Sequence, residues 1–172
     1  HPHRGWLTVR SRPFGFALAA AASLLAAACG SDSGSGGDAD SGEAFTVTAY
    51  QGEEALGGQE VELDSLLGRE LPVVVNFFAA QCPPCLLEMP WFEQAAQQHT
   101  DDVLMVGVDI GPFVGLGTHE QGQQLLRDLG ITYPAGAAVD DAAVRRFEVV
   151  SMPTTVFFDG VGKLVGRHGG IL

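Results

Sequence analysis

The sequence predicts an α/β fold in which a central mixed β-sheet is flanked by helices. Apolar, β-branched runs alternate along the chain with amphipathic, helix-compatible segments, and this order is typical of a sheet with a parallel portion. A last succession of strand, turn and strand adds an antiparallel edge. The 172 residues leave room for one such domain and one further segment.

The strands are predicted from β-branched and aromatic runs. Residues 71–79 lack polar alternation, which predicts a strand that is buried on both faces in the centre of the sheet. Residues 103–110 predict a second buried strand of the same kind. The remaining strand-like segments are shorter and are residues 45–50, 60–66, 154–158 and 163–167, the last two joined by an Asp159-Gly160 turn.

The helices are predicted from apolar residues at spacings of three and four. Residues 82–99 carry such a stripe, and Pro90 within them predicts a kink. Residues 119–129 predict a second helix, which Gly130 ends in the C-cap position. A shorter helix is predicted over residues 140–147, begun by an aspartate.

The first 44 residues differ from the rest of the chain. Residues 1–28 combine three arginines with an apolar stretch too short to span a bilayer, which predicts a signal peptide. The junction at Cys29 resembles the lipobox of bacterial lipoproteins, in which the cysteine is lipidated. The alternative is a plain cleavage site with an incidental cysteine. Residues 29–44 are predicted to form a flexible Gly/Ser/Asp tether that starts at Cys29, and residues 45–172 are predicted to form the folded domain.

Charge excludes one class of partner. The chain has nine Lys and Arg residues against twenty-one Asp and Glu residues, a net charge of -12. No basic run offers a surface to phosphates, so nucleic-acid binding is not expected. From residue 29 onwards the net charge is -15, because three basic residues and no acidic residue precede it.

Cys82 and Cys85 are the residues that predict chemistry. Two cysteines three apart at the start of a helix lie on one face, within reach of a disulfide. Cys82 stands at the positive helix end, which favours its thiolate and makes it the attacking sulfur. Cys85, one turn inside, would resolve a mixed disulfide. Pro83 and Pro84 occupy positions where no intrahelical hydrogen bond is lost.

Two other interpretations of the cysteine pair are less consistent with the sequence. Zinc would require two more ligands, but the histidines at 99, 119 and 168 are scattered and are expected at the surface. A purely structural disulfide gains most by closing a long loop, and this pair closes almost none. No metal and no cofactor are therefore expected. Residues 111–117 are glycine-rich without a phosphate-binding motif, which predicts a flexible loop near the active site.

A second element lies far along the chain, at Met152-Pro153. A proline at the first residue of an apolar strand is sterically permitted and is often a plain edge marker. The sharper hypothesis is a cis bond, which would present Met152 backbone groups beside Cys82 to an extended substrate segment.

These motifs resemble those of the thioredoxin superfamily, over roughly residues 45–172. The nearest type is the membrane-anchored TlpA/ResA group of thiol–disulfide oxidoreductases. The resemblance implies a thioredoxin-like fold in which Cys82 and Cys85 are the redox pair and Pro153 is the cis-proline. It also implies that Glu88 is a carboxylate near the pair, the alternative being a solvated helix residue.

The resemblance also has departures. Residues 111–129 match the additional loop and helix of this group, but Gln81 and Phe78 stand where tryptophan is usual. Gln81 therefore alters the substrate-facing surface. Asn76 replaces the buried aspartate of thioredoxin itself. The family continues beyond Leu172 into a final helix, so that helix is either truncated or missing.

The resemblance implies an extracytoplasmic enzyme, anchored by lipid to the cell membrane, that exchanges disulfides with protein thiols. The resemblance favours the reductive direction of cytochrome c maturation, with apocytochrome c as the client and a transmembrane thiol donor as the source of electrons. The alternatives are a disulfide-donating oxidase, a thiol peroxidase, and a non-catalytic binding lipoprotein with the same fold.

Overall fold

The computed structural model describes residues 42–172, which form seven strands, five α-helices and one 3-10 helix. The strands are β1 (Thr46–Gln51), β2 (Glu60–Glu62), β3 (Val73–Phe78), β4 (Leu104–Asp109), β5 (Ala135–Ala138), β6 (Thr154–Phe158) and β7 (Leu164–Gly169). The helices are α1 (Glu53–Leu56), α2 (Pro83–Gln98), α3 (Gly111–Val114), α4 (His119–Leu129) and α5 (Ala142–Arg146).

The predicted signal peptide over residues 1–28, Cys29 and most of the tether lie outside the described residues. Within residues 42–172, no helix combines the length and the apolar character that crossing a membrane requires.

The seven strands of the described region form one mixed sheet in the order β2-β1-β5-β4-β3-β6-β7. Strand β4 lies parallel to both β3 and β5, and the other neighbours are antiparallel. The predicted parallel portion and antiparallel edge are confirmed. Because β3 and β4 run in the same direction, their carboxyl ends meet at one edge, where Phe78 pairs with Asp109.

Strand β3 is buried on both sides of the sheet, as its lack of polar alternation predicts. Successive side chains of a strand point to opposite faces. Phe77 accordingly packs with Phe45 and Phe147 on one side, whereas Phe78 joins a second cluster that contains Cys82 and Cys85. The core thus has two layers, and the second one supports the cysteine pair.

Strand β5 was not predicted, because its four residues are only alanine and glycine. All four are buried, and the backbone of β1 lies very close to them. A Cβ atom on Gly136 would stand 2.4 Å from the carbonyl oxygen of Thr48. Small residues are therefore required here by the approach of two strands, a requirement that β-propensity does not encode.

Three other segments differ from the prediction. Only Glu60–Glu62 of residues 60–66 is a strand, and Leu63–Leu66 turns into a 3-10 helix that buries both leucines. The segment predicted as a flexible loop after β4 contains helix α3. Helix α5 is shorter than residues 140–147 because it starts after Asp141.

Helices α2 and α4 follow the predicted bounds closely. Helix α2 continues through Pro90 for sixteen residues, and Cys82 is its N-cap. Helix α4 begins with a capping box between Thr118 and Gln121 and ends at Gly130, whose φ of 65° is left-handed. Gly130 is thus the predicted C-cap.

Glu93 joins α2 to the segment that precedes β5. Its carboxylate accepts hydrogen bonds from the Thr132 amide at 2.7 Å, the Tyr133 amide at 3.2 Å and the Gln97 side chain at 2.7 Å, and also from the Thr132 hydroxyl. Burial raises the pKa of Glu93, but the hydrogen bonds from Thr132, Gln97 and Tyr133 together outweigh it, so the net pKa is lowered.

We expect Glu93→Gln to lower the free energy of unfolding by about 1 to 3 kcal/mol near neutral pH, because charge-assisted hydrogen bonds are lost. Because Glu93 has a lower pKa in the folded protein than in the unfolded chain, its ionised carboxylate stabilises the fold above the unfolded pKa of about 4.3. This stabilisation is lost as the pH falls through the folded pKa. The difference in the free energy of unfolding between wild type and Glu93→Gln, measured by urea titration, should therefore shrink below about pH 4. Exposed Glu60→Gln is the control, and an equal loss in both variants would contradict this role.

Candidate active site

The cysteine pair lies at the connection between the end of β3 and the start of α2. After Phe78 the chain makes one turn, in which the Cys82 amide donates to the Ala79 carbonyl at 3.2 Å, and α2 begins at Pro83. The two prolines occupy the first helical positions, where their missing amides would have no intrahelical acceptor. This is the carboxyl edge of the parallel strands, where α/β sheets hold their chemistry.

Cys82 and Cys85 are joined in a disulfide with a Cα–Cα distance of 5.3 Å. The Cys85 amide donates to Cys82 Sγ at 3.2 Å. This donor and the positive end of α2 both favour negative charge on Cys82 over Cys85. Both residues are buried, with 2% of Cys82 and none of Cys85 exposed.

The Met152-Pro153 bond is cis, as the sharper hypothesis predicted. Strand β6 pairs antiparallel with β3 so that Thr154 stands opposite Phe77. Pro153 therefore enters the sheet at the same edge from which Cys82 leaves it. Met152 is half-buried and packs against the cluster that contains both cysteines.

Glu88 lies one turn after Cys85 and is almost fully buried, at 1% exposure. One carboxylate oxygen accepts from Asn76 Nδ2 at 3.2 Å, and the other accepts from the backbone amide of Leu172 at 3.0 Å. The alternative of a solvated helix residue is therefore wrong. Residues three apart on a helix are neighbours, so this carboxylate stands near Cys85.

A buried polar cluster surrounds Glu88. Asn76 Nδ2 also donates to Thr155 Oγ1 at 3.0 Å, while Asn76 Oδ1 has no hydrogen-bond partner. The Tyr133 hydroxyl is likewise buried without a partner. Burial raises the pKa of Tyr133, and the negative charges of Glu93 and Glu88 raise it further, so its hydroxyl stays protonated. Sequence reasoning missed Thr155 and Tyr133 because nothing local marks them.

Asp109 forms a second buried cluster at the end of β4. Its carboxylate accepts from the Tyr50 hydroxyl at 2.9 Å, the Gly111 amide at 2.9 Å and His119 Nδ1 at 3.2 Å. His119 was expected at the surface, but its side chain is only 32% exposed and pairs with this carboxylate. Burial raises the pKa of Tyr50, and so does Asp109. The cluster fixes the starts of α3 and α4 to the sheet.

Gln81 is tied to the segment between α3 and α4. Its backbone amide donates to the Leu116 carbonyl at 2.9 Å, and its side-chain amide donates to Gln121 Oε1 at 3.2 Å. The glycine-rich segment is thus near the cysteine pair, as expected, but hydrogen bonds hold it against the residue that precedes Cys82. In residues 42–172 no three His, Cys, Asp or Glu side chains are grouped as metal ligands.

Residues 40–167 match the AhpC/TSA family. The chain belongs to the AhpC/TSA family. Among solved structures, the exposed lipoprotein thioredoxin Etrx1 of Streptococcus pneumoniae superposes with a TM-score of 0.62 at 22% identity, covering 76% of this chain and 91% of that one. The fold of this AhpC/TSA protein is therefore thioredoxin-like, with a mixed sheet flanked by helices.

Two relatives extend the comparison. The AhpC/TSA chain is 27% identical over 121 residues to the thioredoxin-like protein YneN of Bacillus subtilis, covering 69% of this chain and 67% of that protein. It is 27% identical over 120 residues to the thiol-disulfide oxidoreductase ResA of Halalkalibacterium halodurans, covering 68% and 63%. The chain thus spans about two thirds of the length of these relatives or slightly less.

Proposed function

We propose that this protein is a thiol–disulfide oxidoreductase that acts on protein substrates through Cys82 and Cys85. The observation that carries the proposal is the disulfide at the N-terminus of α2, with the Cys85 amide donating to Cys82 Sγ. A sulfur that receives an amide hydrogen bond at a positive helix end is a good nucleophile and a good leaving group. The name of the related ResA supports the same activity.

In the reductive direction the dithiol form reacts in two exchanges. The Cys82 thiolate attacks one sulfur of a client disulfide, which forms a mixed disulfide and releases the other client sulfur as a thiolate. Cys85 then attacks Cys82 Sγ, which releases the second client thiol and forms the Cys82–Cys85 disulfide. Two electrons pass to the client, and a thiol donor must return them.

Glu88 is proposed to take the proton of Cys85 in the second exchange. Cys85 is fully buried, so water does not reach its thiol, and the nearby carboxylate is the available base. The hydrogen bonds from Asn76 and the Leu172 amide hold that carboxylate in place.

The proposed client site runs between Gln81 and the Met152-Pro153 segment. Met152 precedes the cis bond at the edge where β3 ends, so its backbone groups could pair with an extended client segment. Gln81, which directly precedes Cys82, is exposed. A client sulfur bonded to Cys82 would lie between these two segments.

The reductive direction and its partners are part of the proposal. The carboxylate beside Cys85 supports reduction, and the resemblance to TlpA/ResA proteins supports apocytochrome c as a client and a transmembrane thiol donor. A reduction potential of about -270 mV would support this direction, whereas one of about -120 mV would favour a disulfide-donating oxidase.

The proposed location is the extracytoplasmic face of the cell membrane. It rests on the signal-like residues 1–28 and on Cys29, both outside the described residues. Two or more acyl chains give lasting attachment, whereas a single chain gives only reversible binding.

We expect Cys82→Ser to abolish reduction of insulin disulfides, because the attacking thiolate is gone. Cys85→Ser should instead accumulate a mixed disulfide between Cys82 and the client, because the resolving thiol is gone. Insulin reduction is measured by turbidity and the mixed disulfide by non-reducing electrophoresis. Circular dichroism is the control for folding. Unchanged activity in both folded variants would sink the proposed function and leave a binding module as the explanation.

We expect Glu88→Gln to slow release from the mixed disulfide by about a hundredfold, because a positioned base is lost. First attack by Cys82 should keep its rate, so the mixed disulfide should become detectable in rapid-quench experiments. Glu93→Gln is the matched control, since it makes the same chemical change on the same helix at a carboxylate bonded elsewhere. Equal resolution rates in wild type and Glu88→Gln would refute the role of this base.

We expect Cys29→Ser to move the full chain from the membrane fraction to the soluble fraction of a bacterial host, because no acyl chain can be attached. Metabolic labelling with a fatty acid reports the modification directly. Retention of the variant in membranes would refute lipid anchoring by this residue and leave the redox proposal untouched.

A further inference from the structure

A groove of about 220 Å³ lies between the two residues that precede Cys82 and helix α4. Its volume is several times the roughly 30 Å³ that one water occupies in the liquid, which leaves room for a side chain. Its lining residues are Ala80, Gln81, Gln121, Gln124, Leu125 and Asp128.

We propose that this groove binds a lysine or arginine side chain of the client, one to three residues from the cysteine that Cys82 attacks. The inference rests on the proposed disulfide exchange and adds to it a preference for basic client segments. It concerns the surface next to the residues that precede Cys82 in the chain, and not the Met152-Pro153 segment.

The position of the groove supports this occupant. Ala80 and Gln81 directly precede Cys82 in the chain, and consecutive Cα atoms are about 3.8 Å apart. An extended client segment advances about 3.3 Å per residue. A client cysteine bonded to Cys82 Sγ therefore places its near neighbours at the groove.

The groove is held in shape before any client binds. Gln121 Oε1 accepts from the Thr118 amide at 3.0 Å and from the Gln81 side chain at 3.2 Å, so one carbonyl caps α4 and joins it to the cysteine segment. The Gln81 amide is fixed on Leu116. A wall that is already ordered loses little entropy when a ligand enters.

The lining of the groove suits a long cationic side chain. Ala80 and half-buried Leu125 offer an apolar surface to an alkyl stem, and Asp128 offers a charge to its end. Asp128 is the one charged residue among the lining residues, and neighbouring Arg127 is bonded instead to Gln124 Oε1 at 2.7 Å. The chain as a whole carries twenty-one acidic residues against nine basic ones, which also favours a basic partner.

Asp128 stands where it does not help its own helix. It lies in the last turn of α4, at the negative end of the helix dipole, where an acidic side chain is unfavourable. Its carboxylate accepts from Gln124 at 2.6 Å on the groove side. Residues that contradict a local rule are expected at functional sites.

The test uses three peptides that differ only in having Lys, Gln or Glu two residues from a single cysteine. Each cysteine is linked to 5-thio-2-nitrobenzoate, so attack of the reduced protein on the peptide sulfur releases a coloured thiolate. The second-order rate constant is measured by stopped flow for wild type, Asp128→Asn and Glu120→Gln. Glu120 is exposed on the same helix but does not line the groove.

We expect wild type to react about two- to fivefold faster with the Lys peptide than with the Glu peptide, the range of an exposed ion pair. Asp128→Asn should lose most of this preference, and Glu120→Gln should keep it. Equal rates for the three peptides in wild type, or an unchanged preference in Asp128→Asn, would overturn the inference.

A small disulfide, 5,5′-dithiobis(2-nitrobenzoate), distinguishes a failure of the groove inference from a failure of the proposed function. If the groove inference alone is wrong, wild type still reduces the small disulfide and all three peptides at rates that depend on Cys82. If the proposed function is wrong, the reduction of insulin disulfides does not depend on Cys82.

Discussion

Strand β3 is bonded to a neighbour on each edge and packed on each face, and the rest of the candidate site depends on this constraint. A strand held in this way leaves the sheet at a fixed point and in a fixed direction. The chain needs only one turn after Phe78 to begin α2, so the helix N-terminus and Cys82 are placed by the sheet rather than by a loop. The amide of Cys85 then faces Cys82 Sγ without further adjustment.

Around this fixed point the fold brings together segments that are distant in sequence. The end of β4 contributes Asp109, which anchors α3 and α4 and through them the contact between Gln121 and Gln81. The start of β6 contributes the cis bond at Met152. Beneath α2, the Glu88 carboxylate is held by donors from β3 and from the end of the described chain.

The successes and the errors of sequence-based prediction have separate physical causes. Buried strands such as β3 and the N-terminus of α2 were predictable, because hydrophobic burial and helix capping leave a pattern within a few residues. Strand β5 was missed because its residues are small to allow the close approach of β1, and small residues have no strong strand propensity of their own. The pairing of His119 was not predicted because its partner Asp109 lies ten residues earlier, in a different element.

The sequence by itself determined the α/β order of the described domain and the pairing of Cys82 with Cys85, and it led to the hypothesis of a cis proline at 153. Each of these features depends on residues that are close together in the chain. Only the tertiary structure decided that Glu88 is buried, with one donor twelve residues before it and another eighty-four residues after it. Such contacts form only when the sheet brings distant segments to one edge. The physical reason is that local pattern reports burial and backbone preference, whereas the partner of a buried polar group is chosen by the packing of the whole domain.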